Sequence, residues 1–258
     1  MSAGDDAGRG KQESRPGATP GRDGSEAALA RAITALPRPA AGVECWWVDL
    51  AAAADAVALA STWLSAAEHA RAARFGPEAL RRRWIAGRLA LRHVLGASLD
   101  ISPGDVAIRR GVRGRPFVDG ADLDFNVTNT DQAALVAVLP APRKNEQIGV
   151  DIERRDRQVD ANRLGRRVLT AGERQRHLGL EPDARRLAFL RTWTCKEAMS
   201  KATGDGLSAP FRAIEIAVTE TLELVGGPPP YAPPGWSLTA LEVPADYIAS
   251  LARRLPFN

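Results

Sequence analysis

The chain has 258 residues, of which 45% are hydrophobic, and it carries a formal net charge of +4. This length supplies a real core for one large domain or two modest ones, and no run of about 20 apolar residues predicts a membrane span. The basic balance favours anionic partners, whether nucleic acid, a phosphate-rich small molecule or an acidic protein.

The first residues resemble no targeting segment. They lack the basic and apolar parts of a secretory signal, and Asp5, Asp6 and Glu13 argue against a transit peptide. We therefore expect a soluble, cytoplasmic protein. The two cysteines, Cys45 and Cys195, are too few for a disulfide framework or a cysteine-based zinc site, so both are expected to be buried thiols.

Residues 1–40 are predicted to form a disordered tail. They are rich in Gly, Ala, Arg, Ser and Pro, with almost no large apolar residue before Leu29, so burial cannot offset the entropy cost of ordering them. The folded part is predicted to begin with an apolar and aromatic strand at residues 43–50.

Two helices are predicted after this strand. Ser65 and Glu68 have the spacing of a capping box ahead of the first. The second runs from Glu78 to Leu95 and is predicted to end at Gly96. It is strongly basic, and five arginines lie along it: Arg81, Arg82, Arg83, Arg88 and Arg92.

Short strands dominate the next 50 or so residues, by their alternating or continuous apolar patterns. A hairpin is predicted from residues 106–108 and 116–118, which flank a turn-rich segment. Residues 123–130 lead into a predicted apolar strand at residues 133–139, and a further strand is predicted at residues 148–153.

A second cycle of elements echoes the first. Thr170 and Glu173 repeat the capping-box spacing ahead of a charged helix, and closing strands are predicted between residues 211 and 251. The repeat predicts an α+β fold of two similar α/β halves related by a pseudo-twofold axis, with an N-terminal half at 41–145 and a C-terminal half at 146–258.

Two acidic signatures carry the candidate chemistry. Residues 149–153 read GVDIE, a strand pattern that places Asp151 and Glu153 on one face. Residues 193–201 read WTCKEAMSK, a helical pattern that places Glu197 and Lys201 on one stripe. Neighbouring carboxylates repel unless a cation joins them, so the set suggests a magnesium site; a solvated acidic pair and an ordinary helix ion pair are the alternatives.

A third signature completes a resemblance. Residues 125–130 read FNVTNT, and residues 114–116 read GRP. In this order, the motifs resemble those of the 4′-phosphopantetheinyl transferase superfamily, of the larger Sfp type with two halves in one chain. The resemblance implies transfer of the phosphopantetheine arm of coenzyme A to a serine of an apo carrier protein, with release of adenosine 3′,5′-bisphosphate.

The resemblance also implies roles for individual residues. Asp151, Glu153 and Glu197 would hold Mg²⁺, and Glu197 would also take the serine proton, directly or through a bound water. Lys201 is expected to act in catalysis and to contact phosphate. The full set of expected coenzyme A contacts is Arg83, Arg115, Thr128, Asn129, Lys196 and Lys201, with Arg83 and Arg115 at the adenosine 3′-phosphate end.

One position departs from the family pattern. Asn129 stands where the family usually has histidine, and an amide can donate a hydrogen bond but cannot carry positive charge. The expected partners are coenzyme A and apo acyl or peptidyl carrier proteins, for a monomer that uses neither nucleic acid nor membrane. Two alternatives stay open: an inactive relative that only binds coenzyme A or a carrier, and a basic nucleic-acid-binding protein.

Overall fold

The computed structural model describes residues 22–256. Its first half alternates short helices with antiparallel strands, and one long helix, α5, stands out among them. The elements are α1 (Arg22–Arg31), β1 (Ile33–Ala35), β2 (Glu44–Asp49), α2 (Leu50–Ala53), α3 (Ala60–Trp63), α4 (Ala66–Ala72), α5 (Glu78–Leu99), β3 (Ile108–Arg110), β4 (Pro116–Val118), β5 (Leu123–Asn129) and β6 (Ala133–Pro140).

The second half also contains one long helix, α8, which like α5 has 22 residues. The elements are β7 (Gln147–Arg154), α6 (Ala161–Val168), α7 (Ala171–Leu178), α8 (Pro182–Thr203), β8 (Glu215–Val218), β9 (Leu222–Gly226), β10 (Trp236–Ala240) and β11 (Tyr247–Arg254). This mixture of helices and antiparallel sheets confirms the predicted α+β class.

The strands form two principal sheets and two hairpins. The first sheet has the order β1-β2-β6-β5, the second has the order β10-β11-β7, and every pairing is antiparallel. The hairpins are β3–β4 and β8–β9. The first confirms the predicted hairpin, but its first strand begins at Ile108, where the predicted strand ended. The edge strands β5 and β7 both contribute polar side chains to the site described below.

A shared apolar cluster joins the two sheets. Cys45 of β2 and Leu135 of β6 are buried in it with Val150 of β7 and Leu251 of β11. Apolar residues on one face of each sheet are therefore removed from water together, which makes the two halves one folded unit. Cys45 and Cys195 are both buried, as expected, and burial raises the pKa of each thiol to about 12.

The two capping boxes are present as predicted. Ser65 and Glu68 exchange side-chain and backbone hydrogen bonds at the start of α4, and Thr170 and Glu173 do the same at the start of α7. Each box satisfies backbone N–H groups that lack a partner in the first turn of a helix. The rotation axis that would relate the halves stays a prediction.

The predicted tail is wrong for residues 22–40. Helix α1 is followed by β1, which pairs with β2, and the side chain of Leu29 is fully buried in the core of the first half. Leu29 is buried because residues of neighbouring elements form the rest of this core cluster. Residues 1–21 lie outside the described part of the chain.

The predicted end of α5 at Gly96 is also wrong, because the helix continues to Leu99. A Cβ atom at Gly96 would lie 2.9 Å from the carbonyl oxygen of Ile101 and 3.2 Å from the nitrogen of Pro103. The glycine therefore permits a close approach of the returning chain. Asp100, in the left-handed conformation, ends the helix instead.

Candidate functional site

Asp151 lies on β7 where the two halves meet. Its neighbours Val150 and Ile152 are buried between the sheets, so the alternation of the strand directs Asp151 to the opposite side. Its Oδ1 atom accepts hydrogen bonds from Thr128 Oγ1 at 3.1 Å and from Lys201 Nζ at 2.7 Å. Strands β5 and β7 and helix α8 thus meet at one carboxylate.

Gly149 permits this approach of α8 to β7. A Cβ atom at Gly149 would lie 2.0 Å from the carbonyl oxygen of Ala198 and 2.7 Å from the nitrogen of Ala202. No side chain fits in that space, so the helix packs directly on the strand backbone. This contact brings Glu197 and Lys201 beside Asp151.

Glu153 is held by two donors. Trp193 Nε1 donates to Glu153 Oε1 at 3.0 Å, and Arg157 forms an ion pair with the same oxygen. Burial and the charge of Asp151 raise the pKa of Glu153, while Arg157 and Trp193 act in the opposite direction. The two donors therefore hold the Glu153 carboxylate in position although the negative charge of Asp151 lies nearby.

Glu197 is half-buried on α8 beside the same cluster. Burial raises the pKa of its carboxyl to about 7, with a further increase from the charge of Asp151 that Lys201 opposes. Two buried oxygens in the cluster, Glu197 Oε1 and Asp151 Oδ2, have no hydrogen-bond partner among the described residues. Buried carboxylate oxygens are rarely left in this state, because they lose their hydration without compensation.

The three carboxylates fit a divalent cation by their chemistry. Magnesium prefers oxygen ligands and commonly uses carboxylates together with substrate phosphates. Within residues 22–256, however, no group of three or more His, Cys, Asp or Glu side chains is arranged so that it could hold a metal ion. Lys201 and Arg157 supply the positive charge in this conformation, so the metal site stays a prediction.

A cavity of about 790 Å³ opens next to this cluster, a volume typical of small-molecule sites. It lies between α5 and the ends of β5 and β7. Its charged lining consists of six arginines and three carboxylates: Arg71, Arg83, Arg88, Arg110, Arg154, Arg157, Asp131, Glu153 and Asp156. The excess of guanidinium groups suits a ligand with several phosphates.

Three of the predicted site residues line this cavity: Arg83, Asn129 and Glu153. Arg83 Nη1 lies 3.3 Å from Asp131 Oδ1, a surface ion pair that a ligand phosphate could displace. Asn129 is exposed at the end of β5. Thr128 is buried against Asp151 and does not line the cavity.

The structure places Lys196, which was predicted to bind coenzyme A, in the core and not in the cavity lining. Its side chain is fully buried, and its ammonium donates to Glu173 Oε2 at 2.6 Å and to the carbonyls of Val168 and Phe211, each at 2.9 Å. Lys196 points away from the site because it is adjacent in sequence to Glu197, and successive residues of a helix are rotated by about 100° around its axis.

The predicted contact of Arg115 with coenzyme A stays a prediction, and the structure places this side chain outside the cavity. Its guanidinium is mostly buried and bonded to Asp124 and to backbone carbonyls, and it is absent from the cavity lining. Protein acceptors therefore use four of its five N–H donors.

Sequence reasoning missed Arg71, Arg110 and Arg157 as cavity residues. They come from the end of α4, the end of β3 and the loop after β7. None lies in a signature of its own, and only the fold gathers them. The only sequence feature that pointed to these arginines was the net positive charge of the chain. That charge predicts an anionic ligand but not where the ligand binds.

Comparisons with known proteins agree on one family. A model of the 4′-phosphopantetheinyl transferase superfamily matches residues 147–252. The 4′-phosphopantetheinyl transferase HetI of Nostoc sp. is 37% identical over 202 residues, which cover 75% of this chain and 79% of the relative.

Two further relatives align with a smaller part of this chain than HetI does. The L-aminoadipate-semialdehyde dehydrogenase-phosphopantetheinyl transferase of Xenopus laevis is 30% identical over 154 residues, or 55% of this chain and 50% of that protein. The 4′-phosphopantetheinyl transferase gsp of Aneurinibacillus migulanus is 27% identical over 146 residues, which cover 55% of this chain and 57% of that protein.

Proposed function

The chain belongs to the 4′-phosphopantetheinyl transferase superfamily, and we propose that it transfers the phosphopantetheine arm of coenzyme A to a serine hydroxyl of an apo carrier protein. The serine oxygen forms a bond to the phosphorus that carries the arm. The bond from that phosphorus to the bridging oxygen breaks, and adenosine 3′,5′-bisphosphate leaves. The observation that carries this proposal is the arginine-lined cavity beside the Asp151, Glu153 and Glu197 cluster.

The cavity arginines would bind the phosphates of coenzyme A. Arg83 would exchange its exposed partner Asp131 for the 3′-phosphate, since the planar fork of a guanidinium matches phosphate oxygens. The Asn129 amide would donate a hydrogen bond to another phosphate oxygen. Arg71 and Arg110 supply further positive charge in the same wall.

Asp151, Glu153 and Glu197 would hold Mg²⁺, which when bound would neutralise charge on the pyrophosphate of coenzyme A. The unpartnered Asp151 Oδ2 and Glu197 Oε1 support this assignment, because a cation would satisfy both. Trp193 would keep Glu153 oriented through its hydrogen bond.

Lys201 and Glu197 would act on the reacting groups. The Lys201 ammonium, half-buried and 2.7 Å from Asp151, is close enough to the cluster to stabilise negative charge on the phosphate during transfer. The other carboxylate oxygen of Glu197 would accept the proton of the carrier serine, directly or through a bound water. Both side chains project from α8 one turn apart, so the helix fixes the distance between them.

The acceptor would be an acyl or peptidyl carrier protein. Carrier proteins of this class present acidic recognition helices, and a chain of net charge +4 would meet them with favourable steering. We also propose that the enzyme acts as a cytoplasmic monomer. No helix in the described part of the chain is long and apolar enough to cross a membrane.

The test is chromatographic detection of adenosine 3′,5′-bisphosphate in a reaction of this protein with coenzyme A, Mg²⁺ and an apo carrier. Release in step with carrier consumption is expected. A matched carrier whose acceptor serine is alanine should give none. Release that does not depend on the serine would instead indicate hydrolysis of coenzyme A and would overturn the proposal.

A further inference from the structure

Arg115, in the turn between β3 and β4, bonds to both halves of the molecule. Its Nη1 and Nη2 atoms donate to the two oxygens of Asp124 on β5, at 2.7 and 2.8 Å. Nη2 also donates to the carbonyl of Ile148 on β7 at 2.9 Å, and Nε donates to the carbonyl of Lys201 on α8 at 3.1 Å. One side chain thus bonds to three elements.

The contact with Lys201 lies at the end of α8. The last carbonyls of a helix have no partner within it and carry partial negative charge, so a guanidinium there satisfies one carbonyl and complements the helix dipole. Gly204 ends the helix in the left-handed conformation at φ 79°, with the turn containing Arg115 beside it. Arg113 of the same turn adds an ion pair to Asp205.

Asp124 extends the same connection to β7. Besides the two bonds from Arg115, its Oδ2 atom accepts from the backbone nitrogen of Ile148 at 2.8 Å. Further along β5, Asn126 Oδ1 accepts from the nitrogen of Val150 at 3.1 Å. Alternate side chains of β5 therefore bond to β7, although the two strands belong to different sheets.

We propose that Arg115 and Asp124 form a clamp that positions the end of α8 against β7, and that Arg115 serves transfer through this clamp rather than by binding coenzyme A. Lys201, whose carbonyl the clamp holds, places its ammonium on Asp151, which lies three residues beyond Ile148. The clamp thus sets the distance between Lys201 and Asp151 through the backbones of α8 and β7, without contacting either side chain. Arg115 is a positioning residue, not a catalytic one.

The bonding of Arg115 also argues against a phosphate role. Each of its three nitrogens already donates to a protein acceptor, and only 14% of the side chain is exposed. A phosphate contact would require Arg115 to leave Asp124, which would leave a mostly buried carboxylate without its ion-pair partner.

The inference rests on the proposed transfer, and the test measures kcat and KM for Arg115→Met, Arg115→Lys and Asp124→Asn. The kcat is expressed per coenzyme A-binding site, counted by calorimetric titration, so that unfolded protein does not contribute. We expect kcat per site to fall about tenfold in Arg115→Met and Asp124→Asn, with the KM for coenzyme A within about twofold of wild type. Arg115→Lys should restore part of the loss.

The alternatives give different results. If Arg115 bound the 3′-phosphate, the loss would appear in the KM for coenzyme A and would vanish with 3′-dephospho-coenzyme A. If the clamp only stabilised the fold, kcat per site would be unchanged. Either result overturns the inference while wild-type transfer stands, whereas an inactive wild type would overturn the proposed function itself.

The matched control is Arg109→Lys. Arg109 lies on the same hairpin, is mostly exposed and pairs with Asp119 at the surface. It is absent from the cavity lining and from the clamp. Its kcat and KM should equal those of the wild type.

Discussion

At the scale of single residues, Asp151 is where the requirements of folding and of function conflict. It is a buried carboxylate with one unpartnered oxygen, and its charge raises the pKa values of both Glu153 and Glu197. Such an arrangement costs stability in the free enzyme. It is retained, on our account, because a cation and the phosphates of a substrate relieve it.

We therefore predict that Asp151→Asn lowers transfer by about 100-fold or more while leaving the fold intact. In magnesium-free buffer its thermal midpoint should stay within a few degrees of that of the wild type, because loss of the ion pair with Lys201 opposes the relief of repulsion with Glu153 and Glu197. Steady-state kinetics and a thermal melt measure the two effects. Asp119→Asn, at an exposed carboxylate, is the control, and wild-type activity in Asp151→Asn would remove the metal assignment.

Asn129 is the second residue with a defined expectation. It lines the cavity at an exposed position, so Asn129→His introduces no buried strain. A histidine can carry positive charge below its pKa, and affinity for coenzyme A should stay the same or rise by a few fold at pH 6. Calorimetric titration with coenzyme A at pH 6 measures this affinity. A loss of about tenfold or more would show that the cavity is built around the amide.

Sequence and structure differ most clearly at two positive charges near the site. The spacing of Glu197 and Lys201 predicted their common face, because it depends only on helix geometry. The position of the Lys196 ammonium depends on its ion pair with Glu173. Glu173 is 23 positions away in sequence and becomes a neighbour only through folding. The surroundings of Arg115 were unreadable for the same reason, because its partners Asp124 and Ile148 are brought to it by tertiary structure.

At the scale of elements, the packing of α8 on β7 decides the geometry of the site. We predict that Gly149→Ala destabilises the protein by about 3 kcal/mol, because the added methyl group overlaps the backbone of Ala198 and forces the helix away. Transfer by the folded fraction should also fall. Urea unfolding measures the stability change.

Gly179→Ala is the matched control for this substitution. Gly179 follows α7 and has a negative φ, and a methyl group added there would have no other atom within 4 Å. Its unfolding free energy should change by less than about 0.5 kcal/mol. Equal stability of the two variants would contradict the proposed contact between helix and strand.

The basic helix α5 is anchored by a buried carboxylate. Burial raises the pKa of Glu68, but the charge of Arg88 and the hydrogen bonds from Ser65, Arg88 and Arg92 together lower it to about 2. The side chains of Arg88 and Arg92 are 16% and 3% exposed. The nucleic-acid alternative used the arginines of this helix as a basic surface, and the structure removes two of those five arginines from that surface.

This cluster predicts a pH dependence of stability. A carboxyl with a lowered folded pKa stabilises the protein above its ordinary value of 4.5, and the contribution is lost as pH falls toward about 2. The shift corresponds to roughly 3 kcal/mol. Glu68→Gln should be less stable than wild type at pH 7, and urea unfolding should show the difference shrinking between pH 4.5 and 2. A constant difference would contradict the assignment.

At the scale of the whole molecule, the two principal sheets and the two 22-residue helices of residues 22–256 lie around the candidate site. The order of elements was readable from the sequence, because caps and alternation are local signals. The contact between β5 and β7 was not, because it uses side chains of edge strands in separate sheets. Helix α1 escaped prediction for a related reason, since its burial depends on the elements that cover Leu29.

The most direct measurement is the intact mass of an apo carrier protein incubated with this enzyme, coenzyme A and Mg²⁺, with a parallel sample containing EDTA. We predict that the carrier gains the mass of one phosphopantetheine arm and that EDTA abolishes the gain. A gain that survives EDTA would contradict the magnesium assignment. No gain on acyl, peptidyl or aryl carriers would contradict the transferase account and favour a relative that only binds.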